Sequence, residues 1–362
     1  MPHHPPALLR RHLLAGGLGT LLITPAGAAP APRLDLQFPR DLGAHPESAI
    51  EWWYLTGALG SDASSEESRF GFQLTFFRSR VAATQNMASA FAAKQLIFAH
   101  AAVTDLAGKT MLHDQHIARE GFGIAQALQN DTDVKLRNWS LQRSATHYAA
   151  TASANGFGFD LRLRETQPLL LQGERGLSRK GPQADQMSYY YSLPQLRCSG
   201  TLRIGAQQHS VQGTAWLDHE WSDKLMPAQA VGWDWIGMNL FDGSALTAFR
   251  LRDKNGAALW AGGSLRHSGS AARNFGANEV RFEALQHWTS PQTQARYPVQ
   301  WRVRTPDASY IVKALLENQE LDSRSSTGAV YWEGLSELFD STGQLIGRGY
   351  LEMTGYAGAL RL

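Results

Sequence analysis

From about residue 50 onward the apolar side chains of this sequence recur at every second position, and segments of helical period are nearly absent. Phe70, Phe72, Leu74 and Phe76 fall on one face of an extended chain over residues 69–80, because successive side chains of a strand point to opposite sides. Residues 51–59, 95–103, 133–143 and 157–164 repeat the pattern, and ten further runs between residues 201 and 354 continue it. Asn155-Gly156, Asp242-Gly243 and Asn255-Gly256 supply the backbone freedom of tight hairpins, and Pro306-Asp307 marks another turn. Over a dozen hairpin-joined antiparallel strands predict an all-β fold of barrels or sandwiches rather than a parallel sheet.

A chain of 362 residues, 43% of them hydrophobic, is too long for one small core and too apolar for disorder. Two domains are expected, and an internal echo shows where they divide. Trp52-Trp53-Tyr54-Leu55 followed by residues 70–78 resembles Trp233-Asp234-Trp235-Ile236 followed by residues 244–250, each aromatic strand ending in arginine. Read as a duplication, the echo aligns Trp53 with Trp235 and starts the second unit near residue 225. The expected division is a signal peptide at 1–28, a linker at 29–37, and domains at 38–224 and 225–362. The polar segments 62–68, rich in serine, and 174–186, with Gly176 and Gly181, read as exposed, mobile loops.

The first 28 residues read as a targeting segment. Arg10 and Arg11 precede an apolar run over residues 13–23, and Ala26-Gly27-Ala28 offers a small-residue cleavage site. The paired arginines fit a twin-arginine or a Sec signal, so the export machinery is an expected partner and the periplasm or the exterior the expected location. The later sequence has no stretch of about 18 apolar residues, so no membrane span is expected. Without the two arginines, acidic and basic side chains are equal in number, which argues against nucleic acid as a partner. The single cysteine, Cys198, excludes an intrachain disulfide and a Cys-rich zinc site.

Three segments set acids or histidine beside tryptophan: residues 38–46 running into Glu51-Trp52-Trp53-Tyr54, Asp218-His219-Glu220-Trp221-Ser222, and Gly232-Trp233-Asp234-Trp235. An apolar aromatic wall desolvates a nearby carboxyl and raises its pKa, while indole faces stabilise a neighbouring cation. That combination suits proton-initiated alkene chemistry. The alternative is that the tryptophans fill the barrels and their N–H groups bond adjacent carboxylates. His113 and His116, three apart, are read as part of a solvated loop, and no Gly-x-Ser-x-Gly elbow supplies a serine nucleophile. No cofactor and no metal are expected.

The opening residues 38–54, the strand at 70–78, the run 216–221, Gly232-Trp233-Asp234-Trp235, Tyr331-Trp332-Glu333-Gly334 and the closing residues 349–356 together resemble the AttH family of secreted lipocalin-like proteins, related to the carotenoid 1,2-hydratases. The resemblance implies two tandem lipocalin-like antiparallel β-barrels with an apolar cavity between or within them. It points to His219 and Trp221, with Trp233 and Trp235 opposite. A hydratase would also be expected to place an acid on the strand after the second Trp-rich hairpin, yet Leu246-Thr247-Ala248-Phe249-Arg250 carries none; Asp218, Glu220 or Asp234 would have to substitute. The resulting expectation is an exported protein that binds a lipid- or isoprenoid-like small molecule against Trp52, Trp53, Tyr54, Trp221, Trp233 and Trp235. The alternative is an enzyme that hydrates, cyclises or hydrolyses that ligand through Asp218, His219, Glu220 and Asp234, with His219, Trp221 and Trp233 lining one pocket.

Overall fold

Along strand Phe157–Arg164, Phe157, Phe159, Leu161 and Leu163 are buried while Asp160, Arg162 and Arg164 are exposed. This is the alternation of a sheet with one face on a core and the other in water. The computed structural model describes residues 35–61 and 68–360; the export segment, most of the linker and nearly all of the 62–68 loop lie outside the described residues.

The strands form two antiparallel sheets, one of thirteen strands running from Ile50–Gly60 to Gln207–Lys224, the other of ten running from Gly232–Leu240 to Leu345–Met353. The chain passes from one sheet to the other between Lys224 and Gly232. In the first sheet the order along the middle is Gln95–Asp105, Phe70–Arg80, Ile50–Gly60, Gln207–Lys224, Met187–Ile204. Its far end curls until Ala125–Ala127 and Asp133–Leu136 approach Gln95–Asp105, which wraps the sheet around Trp53, Leu55, Phe72, Trp139 and Leu217. The second sheet encloses its own core of Ile236, Met238, Trp301, Trp332 and Leu351. The fold is therefore all-β with two lipocalin-like units. Among the described residues no helix is long and apolar enough to cross a membrane.

A third apolar cluster joins the sheets through Tyr54, Trp216, Trp235, Phe249, Leu335 and Tyr350. The strands at this seam differ from Phe157–Arg164: the second half of Gln207–Lys224 and most of Phe70–Arg80 are buried on both faces. Gly71 lets the sheets approach, since a Cβ there would lie 2.6 Å from the Tyr350 hydroxyl and 3.1 Å from Leu335 Cβ.

Three expectations change. His113 and His116 sit on strand Thr110–Arg119, not in a loop, and their odd spacing sends them to opposite faces. Residues 174–186 are not a free loop: Leu177–Arg179 pairs with Met187–Ile204, and Lys180 is 5% exposed. The alignment of the two Trp-rich hairpins shifts by one residue. Glu51 pairs across the ladder with Arg78 and Asp234 with Arg250, so Trp52, not Trp53, corresponds to Trp235.

Candidate functional site

Because the seam strands are covered on both faces, one step along a strand moves a side chain from a barrel interior to the space between the sheets. On Ile50–Gly60, Trp52 and Tyr54 face the seam, while Trp53 lies in the first core. On Gln207–Lys224, Trp216, Asp218 and Glu220 face the seam, while Leu217, His219 and Trp221 face inward. On Gly232–Leu240, Trp233 and Trp235 face the seam, while Asp234 points to the second barrel.

The seam encloses a cavity of about 270 Å³. Its apolar wall includes Trp52, Phe77, Phe98, Trp233, Trp235 and Phe249. The structure thus brings together Asp218, Glu220, Trp52, Tyr54, Trp233 and Trp235. It separates His219, Asp234, Trp53 and Trp221 from them, because strand alternation splits neighbours in sequence between opposite faces.

The separated groups form closed ion clusters. Glu51 Oε1 accepts from His45 Nδ1 and His219 Nε2, each at 2.8 Å, and Oε2 accepts from Arg78 Nε at 2.7 Å. Burial alone would raise the Glu51 pKa, but the two imidazoles hold it far below the usual carboxylate range. Burial lowers the His219 pKa to about 4 against the pull of Glu51. His219 is accordingly neutral: Nε2–H donates to Glu51 and Nδ1 accepts from the Tyr191 hydroxyl at 2.9 Å. His45, Glu51 and His219 offer three metal-ligand atoms within 4.8 Å of one another. Arg78, itself buried, already supplies the positive charge that a cation there would bring. In the second barrel Asp234 takes ion pairs from Arg250 at 2.7 Å and Arg252 at 3.0 Å and a hydrogen bond from the Tyr356 hydroxyl at 2.8 Å.

Besides Glu51, whose carboxylate is already bonded to Arg78 and the two histidines, four acids line the cavity. Asp218 accepts from Ser192 Oγ at 2.6 Å, Trp216 Nε1 at 2.7 Å and Tyr190 Oη at 2.7 Å. Burial outweighs these bonds and raises its pKa to about 7. Glu220 is paired with Lys180 Nζ at 2.8 Å and accepts from Ser188. The sequence reasoning missed the other two, Glu333 and Glu352, which sit opposite one another on adjacent strands. Burial raises Glu352 to about 7, opposed by the Trp233 indole. Burial and then the charge of Glu352 push Glu333 well above the ordinary carboxylate range. A signal was present: Glu333 alternates with the apolar residues Tyr331 and Leu335, so it had to share their buried face.

Two curled antiparallel sheets around separate cores, with a ligand-sized aromatic cavity at their seam, define a tandem lipocalin-like protein. The chain belongs to the AttH-like family, whose model matches residues 29–356. It is similar to the crystal structure of an AttH protein of Nitrosomonas europaea, with 45% identity, 91% of this chain and 99% of that chain covered, and a TM-score of 0.83. Kievitone hydratase of Nectria haematococca shares the fold at 13% identity and TM-score 0.64, over 85% of this chain and 89% of that one. CghA shares it at 14% identity and TM-score 0.53, over 87% and 90%. No curated protein matches the chain.

Proposed function

We propose that this protein, exported through the segment at residues 1–28, binds a compact, largely apolar molecule of lipid or isoprenoid type at the seam between its sheets. The observation that carries the reading is the cavity of about 270 Å³ walled by Trp52, Phe77, Phe98, Trp233, Trp235 and Phe249. Its volume lies near the lower end for ligand pockets, which favours a molecule of a few rings over a full-length carotenoid. Mass spectrometry of organic extracts from protein isolated out of its native periplasm tests the reading. A stoichiometric apolar small molecule is the expected result; protein that carries none and whose tryptophan fluorescence ignores apolar ligands would refute it.

A second reading, acid catalysis on the bound molecule, is favoured by Asp218 and Glu352, each with a pKa raised to about 7. A buried acid in that range holds a transferable proton at neutral pH, and indole faces nearby would stabilise the cation formed by protonating an alkene. Incubation with small terpenoid alkenes, followed by mass analysis for addition of water or for cyclised isomers, tests this. Loss of product in Glu352→Gln is expected if the reading holds.

A further inference from the structure

Antiparallel pairing carries the aromatic wall of the chamber sideways out of it. Across four neighbouring strands Trp52 pairs with Phe77, Phe77 with Phe98 and Phe98 with Ile117, and partners in such a ladder keep their side chains on one face. Trp52, Phe77 and Phe98 line the chamber and are only half-buried, whereas Ile117, at the end of the row, is exposed. The chamber is therefore open along this row. In the adjacent row Leu96 pairs with Arg119, whose guanidinium lies 3.9 Å from the centre of the Phe122 ring and 5.5 Å from that of Phe91. The two rings stack at 5.7 Å. Phe91 is 74% exposed and Phe122 57%.

The loops that carry these rings have an unusual composition. Residues 81–93 and 121–130 hold no ionisable side chain, in a chain of which 18% is charged, and they add the exposed Met87 and Ile124. Arg80 and Lys94, both exposed, bound the first loop, and Arg119 stands just before the second. The acids beside the second loop are turned to other partners: Glu120 accepts from the Ala127 amide at 3.3 Å, and Asp131 is paired with Arg143 at 3.0 Å. Gly121, Phe122 and Gly123 all take positive φ, Phe122 at 57°. A bulky residue rarely adopts that conformation, and here the turn that imposes it presents the ring to water.

Exposed apolar side chains gathered on one edge mark a surface that something else covers. A protein seated on this edge would close the open row of the chamber. A bilayer would instead open the chamber onto a reservoir of apolar molecules, and apolar tips rimmed by arginine and lysine suit the interface of an acidic lipid surface. We infer that the loops at residues 81–93 and 121–124 dock on an anionic lipid bilayer, with Phe91 and Phe122 among the headgroups and Arg80, Lys94 and Arg119 at the phosphates. The row from Ile117 to Trp52 then forms the path between bilayer and chamber. This rests on the cavity reading above and names the partner with which the ligand is exchanged.

The test is flotation of the exported protein with vesicles of phosphatidylcholine alone and of phosphatidylcholine mixed with phosphatidylglycerol, beside calorimetry with 2-ethylnaphthalene in vesicle-free buffer. Wild type should float with the mixed vesicles. Phe91→Ser combined with Phe122→Ser should weaken that binding at least roughly tenfold, yet keep the thermal midpoint and the affinity for 2-ethylnaphthalene, since both rings already stand in water. Arg80→Gln combined with Lys94→Gln should weaken it several-fold on the mixed vesicles only. Wild type that binds 2-ethylnaphthalene but floats with neither vesicle, or a double phenylalanine variant that floats as well as wild type, overturns the docking and leaves the cavity reading intact. A dimer in light scattering that the phenylalanine substitutions dissolve, without flotation, assigns the face to a second copy and overturns it too. Flotation that depends on the two phenylalanines, in a protein that binds no apolar probe, refutes the cavity reading while the docking stands.

Discussion

The acids inside the two barrels and the acids at the seam are all withdrawn from water, Glu352 only in part, yet they are built differently. Inside, Glu51 is held by Arg78, His45 and His219, and Asp234 by Arg250, Arg252 and Tyr356. Each carboxylate is neutralised by arginine, and the repeated Glu51–Arg78 and Asp234–Arg250 rungs occupy equivalent places in the two halves. At the seam Glu333 and Glu352 face each other, among the described residues no cation is bonded to either, and their affinity for protons is raised rather than lowered. Ion pairs hold both barrel acids, whereas among the described residues only Glu220 of the four seam acids has one, with Lys180. Burial of an acid is therefore not a mark of function by itself; the identity of its partners is.

Arg78→Leu is the hardest blow this comparison allows. It strands the Glu51 charge in the first barrel and should cost about 3–5 kcal/mol, read from the urea midpoint. An unchanged midpoint would erase the distinction between the two kinds of acid. His219→Ala comes next. It removes a partner of both Glu51 and Tyr191 and should cost about 1–3 kcal/mol of stability while leaving affinity for an apolar probe unaltered. A loss of affinity at full stability would return His219 to the ligand site, where its sequence neighbours Asp218 and Glu220 had placed it.

Glu352→Gln should do the reverse and stabilise the protein. The folded carboxyl titrates near 7 against an ordinary 4.5, so between these values the unfolded chain gives up a proton that the native state keeps. Native stability then falls as pH rises from about 4.5 to 7 and is level above. The substitution should gain about 1–3 kcal/mol at pH 8 and close to nothing at pH 4.5, as thermal midpoints at the two pH values will show. His219 has the opposite sign: its pKa is lowered to about 4 from 6.5, so its contribution is complete above about 6.5 and is lost as pH falls toward 4. The smallest effect belongs to Trp52→Phe, which trims the chamber wall. It should weaken binding of an apolar probe roughly threefold and leave the urea midpoint within about 0.5 kcal/mol.

The all-β fold was legible because a period of two survives in almost every strand, Phe157–Arg164 most plainly. Of the strand Met187–Ile204 only the end, residues 201–204, was legible. It runs through Pro194 and past Gln195 at φ 57, with the ladder shifting between Leu193 and Leu196, so its pattern slips in mid-strand. The Trp-rich segments were assigned whole to a ligand cavity between or within the barrels, whereas only alternate residues of each face the seam. Sequence adjacency read Asp218, His219 and Glu220 as one constellation, whereas the pleat assigns the middle residue to the other side of the sheet. Glu333 and Glu352 stood in recognisable motifs, yet nothing local announces that the strands holding them face Tyr54 from another sheet.

The close approach at Gly71 has an evolutionary consequence. Each chamber wall belongs to its own hydrogen-bonded ladder and resists deformation, whereas the gap between the walls is gauged by a few seam contacts, with the Tyr350 hydroxyl and Leu335 lying over a missing side chain. A single methyl group at that point would act as a shim. Descendants of such a protein can thus be refitted to thicker or thinner ligands by mutations that never touch the ligand, while the chemistry of the walls is inherited intact.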